Sequence, residues 1–295
     1  VPETIETNSI FGPVPVNATY ADIDLPALTL DNSEAGVRLS RSIGGWELSV
    51  SYFSGFDSMP VFAVPTELVV ELTDPATLQT SIQANLTARP QLKRMQVYGA
   101  DFSTTLGGFT IRGEGAYFKD KCFVRTAESI YPEIITTELQ QNLMEKFLNT
   151  YYATGARRQS FSMDPAMTIR KDALKYGLGI DYVRGDATIS LQIIEERVLD
   201  YDGDKPIYFI KDGYDTMLSL AYKQFLLQNT LELNLAGAYD YTFRHYLVQP
   251  SAAYSITDTI KATLGAALIA GKDPTSLLGQ FRDNDEIFCK LRYSF

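Results

Sequence analysis

Between residues 174 and 182 apolar side chains fall on every second position. Leu174, Tyr176, Leu178, Ile180 and Tyr182 alternate with Lys175, Gly177, Gly179 and Asp181. A period of two puts the first set on one face of an extended strand and the second set on the other. The pattern recurs. Trp46, Leu48, Val50 and Tyr52 oppose Glu47, Ser49 and Ser51, and Leu231, Leu233, Leu235, Gly237, Tyr239 and Tyr241 oppose Glu232, Asn234, Ala236, Ala238 and Asp240. Each run persists for about 10 residues, whereas strands of soluble sandwiches typically last ~5–6. A tilted strand needs about 9–11 residues to cross a bilayer.

Eleven such strands are predicted. Ten pair as hairpins: 36–43 with 46–55, 93–105 with 109–118, 173–184 with 187–197, 214–225 with 230–242, and 244–256 with 260–270. The eleventh runs 287–295. Tight turns at Gly44-Gly45, Gly107-Gly108, Gly185-Asp186 and Thr257-Asp258-Thr259 alternate with longer connections, the short link near Phe243 being the exception. Short periplasmic turns and long extracellular loops are the asymmetry of outer-membrane barrels. The expected class is therefore all-β, an antiparallel transmembrane β-barrel. Tyr52, Tyr117, Tyr182, Tyr222, Tyr239, Tyr241, Tyr254 and Tyr293 fall where interfacial girdles are expected.

Composition bounds the alternatives. No run of ~18 apolar residues is present, so no helix is predicted to span a membrane. The net charge of −10 argues against nucleic-acid partners. Cys122 and Cys289 lie too far apart in sequence to suggest a disulfide framework, and neither has metal-ligand spacing. Val1-Pro2-Glu3 lacks the basic start and apolar core of a signal peptide, which an exported protein would already have lost.

The C-terminal segment places Ile287, Cys289, Leu291, Tyr293 and Phe295 on one face, with Glu286, Phe288, Lys290, Arg292 and Ser294 on the other. This resembles the terminal strand of Gram-negative outer-membrane barrel proteins, which end in Phe after alternating apolar or aromatic residues. Leu291, Tyr293 and Phe295 carry the resemblance. It implies an outer-membrane location and reading of this strand by the barrel-assembly machinery. From residue 36 to 295 the chain is similar to porin-like barrels. Outer-membrane lipid and lipopolysaccharide are the implied surroundings, with a homo-oligomer or a protein in or beside the barrel as further candidate partners.

Residues 1–35, rich in Pro, Asn and Asp, read as an extracellular loop or irregular N-terminal segment before a barrel domain spanning 36–295. Eleven strands are an odd number, and bacterial single-chain barrels are even. A complete barrel of about 12–16 strands is expected, either 12 with a weak strand within residues 14–24, or about 14–16 with strands further upstream. The long connections are expected to hold helices. One opens at Asp74-Pro75 and runs to about Asn85; the other opens at Thr136-Thr137-Glu138 and carries Leu139, Leu143, Phe147 and Leu148. Arg157-Arg158 reads as solvated loop charge or an anion-attracting patch.

Strand phase turns Arg38, Glu47, Arg112, Glu114, Lys175, Asp181, Glu196, Lys223, Glu232, Asp240, Lys261, Glu286, Lys290 and Arg292 inward. They either line a water-filled pore or pair across the lumen. The single histidine, His245, has no serine at a suggestive spacing, and no phosphate loop or metal cluster is visible. Asp200 to Asp204 has calcium-loop composition but lacks the following Glu. No catalytic residue, metal or cofactor is expected, and the chain is not expected to be an enzyme. The expected function is passive or substrate-biased diffusion of small hydrophilic solutes. The alternative is a structural barrel that sheathes or anchors an electron-transfer or secretion partner.

Overall fold

The computed structural model describes residues 3–5, 14–126, 129–130, 137–271, 273 and 276–295. Its strands, in chain order, begin with β1 (Glu3–Ile5), β2 (Val14–Tyr20), β3 (Ala35–Ile43) and β4 (Trp46–Phe56). Next come β5 (Val61–Ala63), β6 (Thr66–Asp74), β7 (Gln79–Gln91), β8 (Arg94–Leu106) and β9 (Phe109–Val124). A helix, α1 (Thr137–Thr154), precedes β10 (Arg158–Met163), β11 (Thr168–Arg184) and β12 (Ala187–Val198). The chain closes with β13 (Tyr214–Leu226), β14 (Leu231–Asp240), β15 (His245–Ser255), β16 (Ile260–Ala270) and β17 (Glu286–Tyr293).

Eleven strands form one antiparallel sheet in the order β17-β16-β15-β14-β13-β12-β11-β9-β8-β4-β3. All are the strands predicted from the alternation. Their register keeps the two residue classes apart. One row across the sheet reads Arg38, Ser51, Gly99, Ala116, Lys175, Glu196, Asp215. The opposite face carries Leu39, Leu178, Leu264 and Leu291, each more than half exposed. A one-residue slip would exchange the two faces, so the pattern fixes the register. This exposed apolar face corresponds to the belt that lipid covers in a transmembrane barrel. The fold is of the outer-membrane β-barrel class. The sheet is open: β3 and β17 are its edges, and both run from the long-connection end to the short-turn end.

The turns explain the hairpins. Gly44 and Gly45 take φ of 57° and 86°. Two positive φ values make a primed two-residue turn, whose twist matches that of the strands, and glycine adopts them without strain. At the other end the connections grow into a second sheet, ordered β1-β2-β7-β6-β10, with β5 added along β7. Val14–Tyr20 is therefore a strand, but it pairs in parallel with β7 rather than joining the large sheet.

The helix expected from Asp74 to Asn85 is not formed. The Asp74 carboxylate accepts the Ala76 N–H at 2.9 Å and the Thr77 hydroxyl at 2.6 Å. It caps a turn rather than a helix. The chain then returns as β7, whose alternating Thr80, Ile82, Ala84 and Leu86 suit a half-buried strand. The second expected helix is α1; Thr136, its expected opening residue, lies outside the described residues. Leu143 and Phe147 stand four apart, on one helical face. They bury against Leu68, Val70, Leu72, Ile82 and Ala84, and Phe147 is 0% exposed. Helix and second sheet thus share a core of their own. A smaller core of Phe123, Ala173, Val198, Ile207 and Ile210 holds the 199–213 connection against β9 and β11.

Candidate functional site: the polar face of the large sheet

Hairpin register brings the inward side chains into charge pairs. Arg38 directs Nη2 to both oxygens of Asp101, at 3.0 and 2.9 Å, and its Nε to Ser49 Oγ at 3.0 Å. The Ser49 hydroxyl also bonds Asp101. Two strands along, Arg112 holds Asp181 at 2.6 and 3.3 Å, and Ser190 completes the group. Gly179 makes room: a Cβ there would come 3.0 Å from Arg112 Nε. Glu196 is shared by Lys121 and, at 3.8 Å, Lys175. Glu232 receives Lys223 at 2.9 Å and Lys261 at 2.6 Å, with the Asn234 amide at 3.3 Å. A fork of two N–H groups on one carboxylate fixes orientation as well as charge.

The remaining predicted positions differ in setting. Glu47, Glu114 and Glu286 make no ion pair among the described residues. Asp240 is buried and accepts the Phe243 N–H at 2.8 Å, which closes the short 241–244 link. Lys290 and Arg292 lie exposed on β17, opposite Thr263 and Lys261. Leu291 and Tyr293 are 70% and 64% exposed on the other face, and Phe295 follows with its ring 6.3 Å from that of Tyr293.

Three partners escaped the sequence reading. Asp101 sits at an inward phase and was legible from β8, but only register shows that it meets Arg38. Lys121 belongs to a stretch expected to be loop, because β9 continues past the predicted strand end to Val124. Ser276 had no local signal. It lies 31 residues from His245, yet its hydroxyl contacts the His245 Nδ1. The Asp273 N–H donates to Nε2 at 3.0 Å, so Nδ1 carries the proton and points it at Ser276. Gly279 N–H also donates to that hydroxyl, at 2.9 Å. In this tautomer the imidazole donates to the serine, and the contact ties Ser276 to the start of β15.

The acidic loop satisfies itself. Asp202 accepts the Asp204 N–H at 3.1 Å and lies 3.8 Å from Lys205. Among the described residues no group of three or more His, Cys, Asp or Glu gathers to hold a metal. Burial and the carboxylates of Asp212 and Asp202 hold the Tyr201 phenol above its usual range.

Residues 8–295 match the family model described as "Protein of unknown function (DUF1302)". The chain belongs to this family. No curated protein matches it. Among solved structures it is similar to OmpT, an outer membrane protein of Vibrio cholerae, at 12% identity and a TM-score of 0.39, over 88% of this chain and 59% of OmpT. It is similar also to the Pseudomonas putida toluene transporter TodX, at 10% identity and a TM-score of 0.32, over 88% of this chain and 73% of TodX. The chain thus spans under two thirds of the length of OmpT. The expectation that the chain is not an enzyme is corrected: it rested on a histidine without a serine partner, and the Ser276 hydroxyl contacts His245. This contact assigns no reaction.

Proposed function

We propose that this member of the DUF1302 family is an outer-membrane channel through which small hydrophilic solutes diffuse along the polar face of the large sheet. One observation carries the reading. Eleven antiparallel strands separate an uncovered apolar face from a face of paired charges, hydroxyls and amides. Lipid satisfies the first face and water the second. In this reading the C-terminal Phe295 is periplasmic and is part of the strand read by the barrel-assembly machinery. The second sheet and α1 then stand at the extracellular mouth, beside lipopolysaccharide.

Charge pairing supports a wet lumen. Arg38–Asp101 and Arg112–Asp181 leave side chains 19–62% exposed. Such pairs line a surface that water reaches, rather than a sealed core. Ion preference is then set by the charges left over after pairing.

Conductance in planar bilayers tests the reading. Purified full-length chain is expected to give stable, stepwise open-channel currents. A second preparation lacking residues 137–154 covers the case in which the folded connection blocks the mouth. Silence from both preparations, with heat-modifiable migration confirming folded protein, would reject the channel.

A further inference from the structure

We infer that the inward wall of β13–β17 near the short-turn end binds small organic carboxylates that carry an aromatic body. The inference rests on the channel reading for its role in transport, but the site is argued from its own residues.

Two rows of inward residues build it. The first reads Lys223, Asn234, Ser251, Gly265, Phe288 across five strands; the second reads Glu232, Ala253, Thr263, Lys290. Lys261 and Arg292 stand directly opposite each other one step further toward the turns. Four cations and one carboxylate therefore share this part of the wall. Glu232 is engaged by Lys223 and Lys261 at 2.9 and 2.6 Å. Lys290 and Arg292 make no ion pair among the described residues. The positive charge here is not neutralised within the sheet.

The opposing strands do not share this excess. On β3, β4, β8, β9 and β11 the two inward arginines expected from phase, Arg38 and Arg112, are paired to Asp101 and Asp181, and Glu47 and Glu114 remain without an ion pair among the described residues. Near the short turns the surplus on β13–β17 is therefore cationic, and Glu286 stands at the other end of β17. Like charges placed directly opposite destabilise a sheet. Lys261 against Arg292 is such a pair, and a bound anion relieves it.

Shape supplies the second half of the argument. The small residues of these rows leave a recess of about 440 Å³ whose lining includes Lys223, Asn234, Ser251 and Phe288. Phe288 is the aromatic residue of β17 on this polar face, and its ring lies over Gly265, where a Cβ would meet Phe288 Cζ at 2.4 Å. An apolar ring face beside amide, hydroxyl and ammonium groups is the usual make-up of a small-molecule site. The ammonium and guanidinium groups recognise the carboxylate, and the Phe288 ring recognises the apolar body.

Isothermal titration of the full chain in detergent micelles tests this, with sodium benzoate, benzyl alcohol and inorganic phosphate as probes. Benzoate is expected to bind. Benzyl alcohol lacks the charge and phosphate lacks the ring, and each is expected to bind at least 10-fold more weakly. The Lys290→Gln/Arg292→Gln double variant breaks no ion pair and is expected to weaken benzoate at least 10-fold, and Phe288→Ala to weaken benzoate but not phosphate. Absent benzoate binding, or binding equal in wild type and both variants, would overturn the site; phosphate matching benzoate would overturn the aromatic selection. Bilayer currents in the same preparations separate the two readings. Currents without benzoate binding leave the channel and remove the site, whereas binding together with silence from the whole chain and from the preparation lacking residues 137–154 leaves the site and removes the channel.

Discussion

Lys261 on β16 reaches across β15 to Glu232 on β14 and places its ammonium 2.6 Å from Oε2. The other oxygen of Glu232 holds Lys223 at 2.9 Å. One carboxylate thereby ties β13, β14 and β16 together. Glu232→Gln removes the carboxylate charge that these two ammonium groups share. The loss of partly exposed pairs costs about 1 kcal/mol. The variant is therefore expected to remain folded with a modestly lower thermal midpoint, and to conduct anions in greater proportion than wild type. Reversal potential across a potassium chloride gradient reads the second effect; a shift toward cations would contradict the assignment of Glu232 to the lumen.

At the opposite end of the sheet, His245 lies between two glycines. A Cβ on Gly271 would stand 2.1 Å from His245 Cδ2, and one on Gly279 only 1.9 Å from the Asp273 carbonyl oxygen and 2.6 Å from His245 Cε1. Neither backbone carries a side chain without displacing the imidazole. Gly279→Ala is expected to free the 271–285 connection while leaving the strands in place. Limited proteolysis should then cut within residues 271–285 at least several-fold faster than in wild type. Ser276→Ala should move cleavage in the same direction by a smaller amount, because the Asp273 N–H still holds Nε2. Unchanged cleavage in Gly279→Ala would show that this packing does not secure the loop.

The legible parts of the molecule are those governed by a short period. Eleven strands follow from alternation at period two because each inward or outward choice repeats for about 10 residues, so that single exceptions such as Phe288 do not alter the sum. α1 followed from Leu143 and Phe147 in the same way. What escaped depends on pairing at a distance. Asp74-Pro75 carries a helix-opening signal, yet the same carboxylate caps a turn when Thr77 stands three residues on. Val14–Tyr20 is a strand whose partner, β7, begins more than 60 residues later. Phase alone put the charges expected to point inward on one common face. Which charge met which partner needed the register between strands, and Ser276 needed the fold of a connection that has no period.

The core between α1 and the second sheet predicts a separable unit. Phe147 is 0% exposed and packs with Leu143 on Leu68, Val70, Leu72, Ile82 and Ala84. Truncating such a ring costs about 3–5 kcal/mol. Among the described residues, none of the large sheet belongs to this core. Phe147→Ala is therefore expected to raise hydrogen exchange throughout α1, β6 and β7 and to leave β12–β16 protected as in wild type. Exchange mass spectrometry resolves these peptides. Loss of protection across both sheets together would mean that the second sheet is not an independent unit but a support for the barrel.

The Asp74 turn gives the second sheet a pH dependence of known sign. The Thr77 hydroxyl and then the Ala76 N–H hold the Asp74 carboxyl below its ordinary value of 3.8. A folded-state pKa below the unfolded one contributes stability above the unfolded value and loses it as the pH falls through the folded value. The contribution is thus full at neutral pH, and protonation of Asp74 removes it only below pH 3.8. Asp74→Ala lacks it at every pH. The thermal midpoint of α1 and the second sheet, followed by exchange or by a fluorophore placed on α1, is expected to be lower in the variant at pH 7. The gap should narrow as the pH is taken below 3.8, because wild type then loses the same hydrogen-bonded anion. A gap that stays constant through that range would assign the effect of the substitution to turn geometry alone and not to the charge.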